Sequence, residues 1–310
     1  MQSKQANPVT GNDLNRRQFI STAGKAAGAA LLMTSPLLSF ATDGKVNADA
    51  KTVGDIMDLF ISEVPGAPFA NTVDTLKAGD RTIVVTGIVT TMFATLEVTH
   101  KAIALGANFI IAHEPTFYNH LDATAWLEND NVYRYKRDLL KQHNIAVWRN
   151  HDYIHRHVPD GVENGVIARL GWGKYYDASH NVAAIPAVTL RSLVQHTKER
   201  LGIPTLRYIG DLSQSCKKIL LMPGASGGKS HIEGIMREQP DVLICGEIQE
   251  WETAEYVRDA QTKGDKLSLV VLGHIASEEP GSAYMATWLK EKVPGIIVTH
   301  VPAKNSLSFL

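Results

Sequence analysis

Cysteine is nearly absent: Cys216 and Cys245 are the only two in 310 residues, too few for a small disulfide-stapled scaffold. They stand at the start of one β-rich run and near the end of another. In parallel neighbouring strands their sulfurs would be out of bridging reach, so both read as buried thiols. Charge of one sign is also missing. Lys and Arg number 31 against 32 Asp and Glu, and outside residues 1–41, which hold Lys4, Arg16, Arg17 and Lys25 against Asp13, 27 basic face 31 acidic residues, a net −4. Such a mildly acidic body has no electrostatic footprint for nucleic acid or anionic lipid. Long apolar runs are lacking too. Ile20 to Phe40 is interrupted by Gly24, Lys25, Gly28 and Pro36, which falls short of the ~20 apolar residues of a membrane span. What remains, 44% apolar and 20% charged, is globular composition of a size suited to one large or two medium α/β units.

The first 41 residues do not read as fold. Asn15-Arg16-Arg17-Gln18-Phe19-Ile20 sets a twin arginine before Phe, a moderately apolar stretch follows, and Ser39-Phe40-Ala41 places small residues at the −3 and −1 positions of a cleavage site. That order is the order of a twin-arginine export signal, which predicts a periplasmic protein. Residues 42–51 then form a linker. Twin-arginine cargo crosses already folded, so a metal can be inserted before export.

From Thr52 onward helical and strand periods alternate. Val53, Ile56, Met57 and Phe60 recur at helical spacing, and Thr82 to Gly87 is a short β-rich run. Thr95 caps a helix striped by Leu96, Val98, Ala102 and Leu105 and stopped by Gly106. Asn108 to Ala112 reads as a buried strand, a polar helix runs through Tyr133, Leu139 and Leu140, and Ile145 to Trp148 is a strand. The order then recurs: strand Lys217–Met222, turn Gly224–Gly228, helix Ser230–Glu238, strand Asp241–Cys245, helix Glu252–Lys263, strand Leu267–Leu272. Between them lies a connecting region near residues 174–212 with a Thr189-capped helix. The expected fold is therefore two related α/β halves, residues 52–184 and 185–310, with mostly parallel or mixed sheets covered by helices and a site in the cleft between them.

Ligands of open α/β sheets collect at the carboxyl ends of strands. His113-Glu114, His151 with His155, and His274 with Glu278 all fall just past such ends. Taken singly, each of the 12 His is ordinary; three imidazoles and two carboxylates in equivalent places form a set suited to Zn, Fe or Mn. Five ligands exceed the need of one catalytic zinc and match two ions sharing a carboxylate.

Two other chemistries compete. Gly224-Ala225-Ser226-Gly227-Gly228 fits a nucleophile elbow, with Asp259 and His274 following in triad order, although no HGGG-type oxyanion segment is present. The same turn running into Lys229-Ser230 is a near miss for a P-loop, with Pro223 where the first Gly belongs. A zincin reading of His113-Glu114 fails because Phe117 replaces the second His and Pro115 opposes a helix.

The segments Val98–Pro115, Ile145–His155, Leu201–Asp211, Gly224–Gly228, Asp241–Glu247 and Leu272–Glu278 together resemble the Nif-three-like dinuclear metal family, also called the GTP cyclohydrolase I type 2 family. The resemblance spans nearly all of residues 52–310. It implies two divalent metal ions held by His113, Glu114, His155, His274 and Glu278, with Glu278 bridging, and His151 either a further ligand or a support for one. Two positions depart from the family pattern: Glu114 stands where it has a second His, and His155 where it has an Asp. Together they conserve the ligand count and charge, which favours a retained site. The resemblance also implies a homo-oligomer, a ring-like hexamer with its sites facing an interior.

These readings lead to an exported metal-dependent hydrolase acting on an unidentified small substrate, with Glu247, Tyr118 or Asp152 available to move protons and Glu247 the first candidate. A non-catalytic metal-binding or scaffolding protein is the alternative, and a serine hydrolase using Ser226 the lesser one. An exported chain meets no ready supply of GTP, which counts against that substrate. The export reading makes its own prediction: Arg16→Lys with Arg17→Lys should abolish export while leaving the folded body intact. Cell fractionation checks it, and a double variant still fully periplasmic would reject the twin-arginine assignment.

Overall fold

The computed structural model describes residues 50–308, so Arg16, Arg17 and the expected signal segment lie outside the described residues. Thr52 opens the first helix, α1 (Val53–Ser62), through a capping box with Asp55, and Val53, Ile56, Met57 and Phe60 form its buried face. The first sheet is built from β1 (Leu76–Ala78), β2 (Ile88–Thr91), β3 (Phe109–Ala112), β4 (Ala146–Arg149) and β11 (Val298–His300) in the order β1-β4-β3-β2-β11. Only the β1–β4 pair is antiparallel. Helices α2 (Leu96–Ala104) and α3 (Asn131–Gln142) make the crossovers on either side of β3, and Thr95 and Asp130 cap them as N-caps should. After β4 come a short α4 (Asp152–Arg156) and α5 (Gly161–Leu170).

The second sheet is mixed. It takes β5 (Tyr176–Asp177), β6 (Val182–Thr189), β7 (Arg207–Ile209), β8 (Ser215–Met222), β9 (Val242–Cys245) and β10 (Ser268–Val271) in the order β5-β6-β8-β9-β10-β7. Strands β8, β9 and β10 are parallel, and the flanking pairs are antiparallel. Helices α6 (Leu190–Leu201), α7 (Gly228–Glu238) and α8 (Glu255–Lys263) cover it, and α9 (His274–Lys292) leads back to β11.

Each central strand is buried on both faces, and the period of two sorts its side chains into separate cores. In the first sheet Ile88, Phe109, Ile111 and Trp148 pack on the α1 side, whereas Val89, Ile110, Ala112 and Val147 pack toward α2 and α3. In the second, Ile219, Leu221, Ile244 and Val270 share one core, and Leu220, Leu243, Leu269 and Val271 the other. Cys216 and Cys245 are free and buried at opposite ends of the parallel pair β8–β9, where Met222 is the register partner of Cys245. The six-residue offset is ~20 Å of strand, far beyond disulfide reach.

The structure departs from the sequence expectation in four places. Thr82–Gly87 is not a strand: Val84 makes one bridge to Thr52 and is 53% exposed, and the ladder begins at Ile88, where all four residues are buried. Residues 174–212 are not merely a connection, since they supply β5, β6 and β7 to the second sheet. The boundary expected at 184/185 falls inside β6, and β11 returns the chain's end to the first sheet, so the halves interlock instead of following one another. Finally, residues 250–254 form a π-helical turn ahead of α8.

Helix α9 joins the two sheets. Thr90 on β2 donates its hydroxyl to the Ser282 carbonyl of α9 at 2.7 Å, tying the helix to the first sheet. Against α5 it packs at backbone distance: a Cβ on Gly165 would stand 2.4 Å from the Pro280 carbonyl oxygen, and one on Gly281 2.8 Å from Val162 Cα. Only glycine permits that approach. Gly165→Ala should therefore cost about 1–3 kcal/mol by overpacking, measured as a lowered denaturation midpoint; an unchanged midpoint would mean that α5 and α9 can part freely.

Candidate metal centre

The β2–β3 ladder continues past the strand ends: His113 N–H donates to Thr91 O at 3.1 Å and Glu114 N–H to Met92 O at 2.9 Å. This holds the His113-Glu114 pair rigid at the carboxyl edge of the first sheet. The adjoining loop after β4 is held by Asp74, whose carboxylate accepts the backbone N–H of His151 at 2.8 Å and of Tyr153 at 2.7 Å. His151 is the N-cap residue of α4, and His155 follows one turn on. From the second sheet β10 ends at Val271, and after the positive-φ Gly273 the first turn of α9 sets His274 and Glu278 at i and i+4, on one face.

These three segments converge. His113 Nε2 lies 3.3 Å from Glu278 Oε2, and His274 Nε2 lies 2.9 Å from the same oxygen and 3.1 Å from Glu114 Oε1. His151 Nε2 is 3.9 Å from Glu114 Oε1, and His155 Nε2 is 4.0 Å from Glu278 Oε1. The rings of His113 and His151 stack at 4.8 Å, with His155 edge-on to both. Ligand atoms of His113, His151 and His155, and likewise of His113, Glu114 and Glu278, fall within 4.8 Å of one another.

All four imidazoles are oriented alike. Nδ1 is held from outside by the Asn150 carbonyl for His113 (3.2 Å), Asp152 for His151 (3.0 Å), Asp160 for His155 (3.0 Å) and Glu247 for His274 (3.2 Å). Each Nε2 is thereby turned inward. Outer acceptors that fix the ring and leave Nε2 free are the usual support of a metal-binding imidazole. His113 Nε2 is buried and has no hydrogen-bond partner, an arrangement that costs free energy unless something occupies its lone pair. Neutral nitrogens with carboxylate oxygens at this spacing fit a divalent transition ion.

The electrostatics match the two carboxylates of that set. Burial opposes ionisation of Glu278, but the imidazoles of His113 and His274 outweigh it and hold the carboxyl far below its usual range. Glu114 shifts the same way: burial raises it, and the hydrogen bond from His274 with the nearby imidazoles lowers it further. Burial alone would lower His274, yet hydrogen bonds to Glu114 and Glu278 raise it to about 10. His151 is pushed down to about 4 by burial and by His113, against the pull of Asp152. Burial disfavours His155⁺ as well, and Asp160 more than offsets it.

The backbone closes the site from the second sheet. At Gly224, with φ +70°, a Cβ would stand 2.2 Å from Glu278 Oε1, so the turn after β8 lies directly on the carboxylate. That contact, and not a nucleophile, explains the glycine-rich turn. Ser226 is exposed and donates to the Pro223 carbonyl at 3.3 Å, while His274 is engaged by Glu114, Glu247 and Glu278. The triad reading of Ser226, Asp259 and His274 therefore lacks its hydrogen bond. The phosphate reading fails as well, because the Glu252 carboxylate accepts the Gly228 N–H at 3.0 Å at the start of α7.

The expected ligand residues His113, Glu114, His155, His274 and Glu278 thus meet in space, and His151 joins them. Among the proton-handling candidates, Glu247 borders the cluster with a side chain 56% exposed. Asp152 instead orients His151 and accepts from Thr72 and Val73. Tyr118 is half exposed, with Lys136 Nζ 5.5 Å over its ring. Sequence reasoning missed Arg149, Asp160 and Asn150, which hold the ligand set from outside; an arginine closing an otherwise apolar strand was the available signal.

Fold and site together define an α/β protein with a buried, multi-histidine, two-carboxylate centre between two sheets. Residues 68–306 match the model of the Duf34/NIF3 (NGG1p interacting factor 3) family, and the chain belongs to that family. A GTP cyclohydrolase 1 type 2 homolog of Clostridium acetobutylicum is 25% identical over 227 residues, covering 69% of this chain and 80% of that protein. Its namesake from Clostridium perfringens is 24% identical over 248 residues, covering 76% and 90%. Among solved structures, Staphylococcus aureus hypothetical protein SA1388 superposes with a TM-score of 0.68 at 21% identity, covering 84% of this chain and all of that one. A Bacillus cereus protein related to NIF3 gives 0.68 at 18% identity, covering 84% and 99%.

The raised His274 has a measurable consequence. Below about pH 10 its imidazole carries a proton, whereas a metal needs the neutral ring, so uptake near pH 7 must expel that proton. Zinc affinity should rise by roughly tenfold per pH unit per proton released. Calorimetry in buffers of different ionisation enthalpy counts the protons, and a value of zero would contradict this charge state.

Proposed function

We propose that this chain is an exported metal-dependent hydrolase with a dinuclear centre held by His113, Glu114, His151, His155, His274 and Glu278. The observation that carries the reading is the common orientation of four imidazoles, each with Nδ1 held from outside and Nε2 turned toward two buried carboxylates. One carboxylate reaches two sides: Glu278 Oε2 faces His113 and His274, and Oε1 faces His155. That division suits a residue shared between two ions. Divalent ions there supply Lewis acidity toward water and toward a carbonyl or phosphoryl oxygen. Zn, Fe and Mn all suit the donor set.

A cleft of about 2000 Å³ opens from His274 and Glu247 and is walled by Phe93, Leu206, Ile248 and Tyr284. It gives a small substrate access to the His274 side of the cluster. Glu247 keeps one oxygen free while the other holds His274 Nδ1, and its exposure leaves it able to take a proton from water and return it to a leaving group. Gly224 and the buried face of α9 exclude solvent from the opposite side of Glu278. Arg16-Arg17 and the segment to Ala41 support a periplasmic location, and no helix among the described residues is long and apolar enough to cross a membrane. The relatives' name points to GTP, but a periplasmic enzyme has no ready source of it, so a small ester, phosphoester or cyclic amide is the better substrate class.

Elemental analysis and a hydrolase panel test this directly. The parent should hold two metals per chain, and Glu278→Ala fewer than one. Glu247→Gln should retain both metals and lose about 10²- to 10⁴-fold in turnover, the range for a lost general base. Two metals without turnover on any substrate would favour the non-catalytic metal-binding or scaffolding role, and no metal at all would end both readings.

A further inference from the structure

Arg149, the last residue of β4, is wholly buried, and its three nitrogens are all committed. Nε donates to the His113 carbonyl at 3.4 Å, Nη1 to the His120 carbonyl, and Nη2 to Glu114 Oε2 at 3.1 Å. On its far side Asp122 Oδ2 lies 3.9 Å from Nη1 and 3.4 Å from Lys77 Nζ, with both of those side chains almost fully buried. Lys77, Asp122, Arg149, Glu114 and His274 thus form a buried row of alternating charge that ends in the cluster. A guanidinium cannot shed its proton in a protein, so Arg149 is a fixed donor at this place.

The two oxygens of Glu114 are divided: Oε2 belongs to Arg149, and Oε1 faces His274 and His151. We infer that Arg149 is a positioning residue that presents Glu114 to the metal centre through Oε1 alone, the two side chains acting together as one neutral single-oxygen donor. This rests on the metal-centre reading of the cluster. A planar fork bonded at three points holds its partner at a set angle, which a flexible ammonium cannot do. Without Arg149 nothing would fix the angle of the carboxylate, and Oε1 would no longer be presented in one place.

A merely structural Arg149 would hold the His113 and His120 carbonyls regardless of residue 114. A double-mutant cycle separates the two roles. Zinc affinity and, after chelation, the denaturation midpoint are measured for the parent, Arg149→Met, Glu114→Gln and the double variant. The expected result is a loss of roughly tenfold or more in zinc affinity for Arg149→Met in the parent background and less than about twofold in the Glu114→Gln background. The chelated midpoints should couple likewise, with the double variant more stable than the two single losses predict. Arg149→Lys, which keeps the charge and is the variant to use if Arg149→Met does not fold, should recover stability in the chelated protein but not zinc affinity. Equal losses in both backgrounds, or full zinc affinity in Arg149→Lys, would overturn the assignment. A parent that takes up no zinc, iron or manganese would overturn the metal-centre reading itself, a failure visible before any variant is compared.

Discussion

Two ionised carboxylates, Glu114 and Glu278, sit almost fully buried where the two sheets meet, and the surrounding structure is arranged to make that tolerable. A buried charge is stable only when neighbouring dipoles and opposite charges replace the water it has lost. Here the replacements are the inward nitrogens of four imidazoles and one guanidinium. Each imidazole is in turn held by an acceptor farther out. The layers depend on each other: carboxylates without imidazoles would take up protons, and imidazoles without Asn150, Asp152, Asp160 and Glu247 would have no fixed edge to present.

This dependence explains features that make little sense in isolation. Glycine at 224 lets a backbone turn lie on Glu278, and glycines at 165 and 281 let α5 and α9 touch at backbone distance. The helix that supplies His274 and Glu278 from the second sheet is bonded through Ser282 to Thr90 in the first. The return of β11 to the first sheet has the same effect, because the chain cannot separate its halves without breaking a parallel strand pair. Rigidity at the junction is what a preorganised centre requires.

Glu114 and His155, the two positions that the sequence resemblance set apart, sit in matched surroundings. Each has its own counter-charge: Arg149 faces Glu114, and Asp160 faces His155. They fall in different overlapping groups that share His113.

Much of this was legible in the sequence. The caps Thr95 and Thr189, the buried runs at Phe109–Ala112 and Val242–Cys245, and the placement of His113-Glu114, His151 and His274 just past strand ends all follow from local periodicity and chain stereochemistry. The i, i+4 spacing of His274 and Glu278 suits one helical face, but the helix α9 that realises it was not read from the sequence. The strand expected at Thr82–Gly87 was misplaced because β-propensity favours Val84, whereas pairing with Phe109 and Val298 selects Ile88–Thr91. Asp160 carried no signal of its role, and that of Arg149 at the end of an apolar strand was too weak to act on, since a charged residue beside an apolar strand or at a helix start is usually a solvated end. What the tertiary structure decided was which polar groups lie inside. Burial is a property of the assembled sheets, and it alone turns scattered histidines and carboxylates into one centre by removing the water that would otherwise satisfy each of them separately.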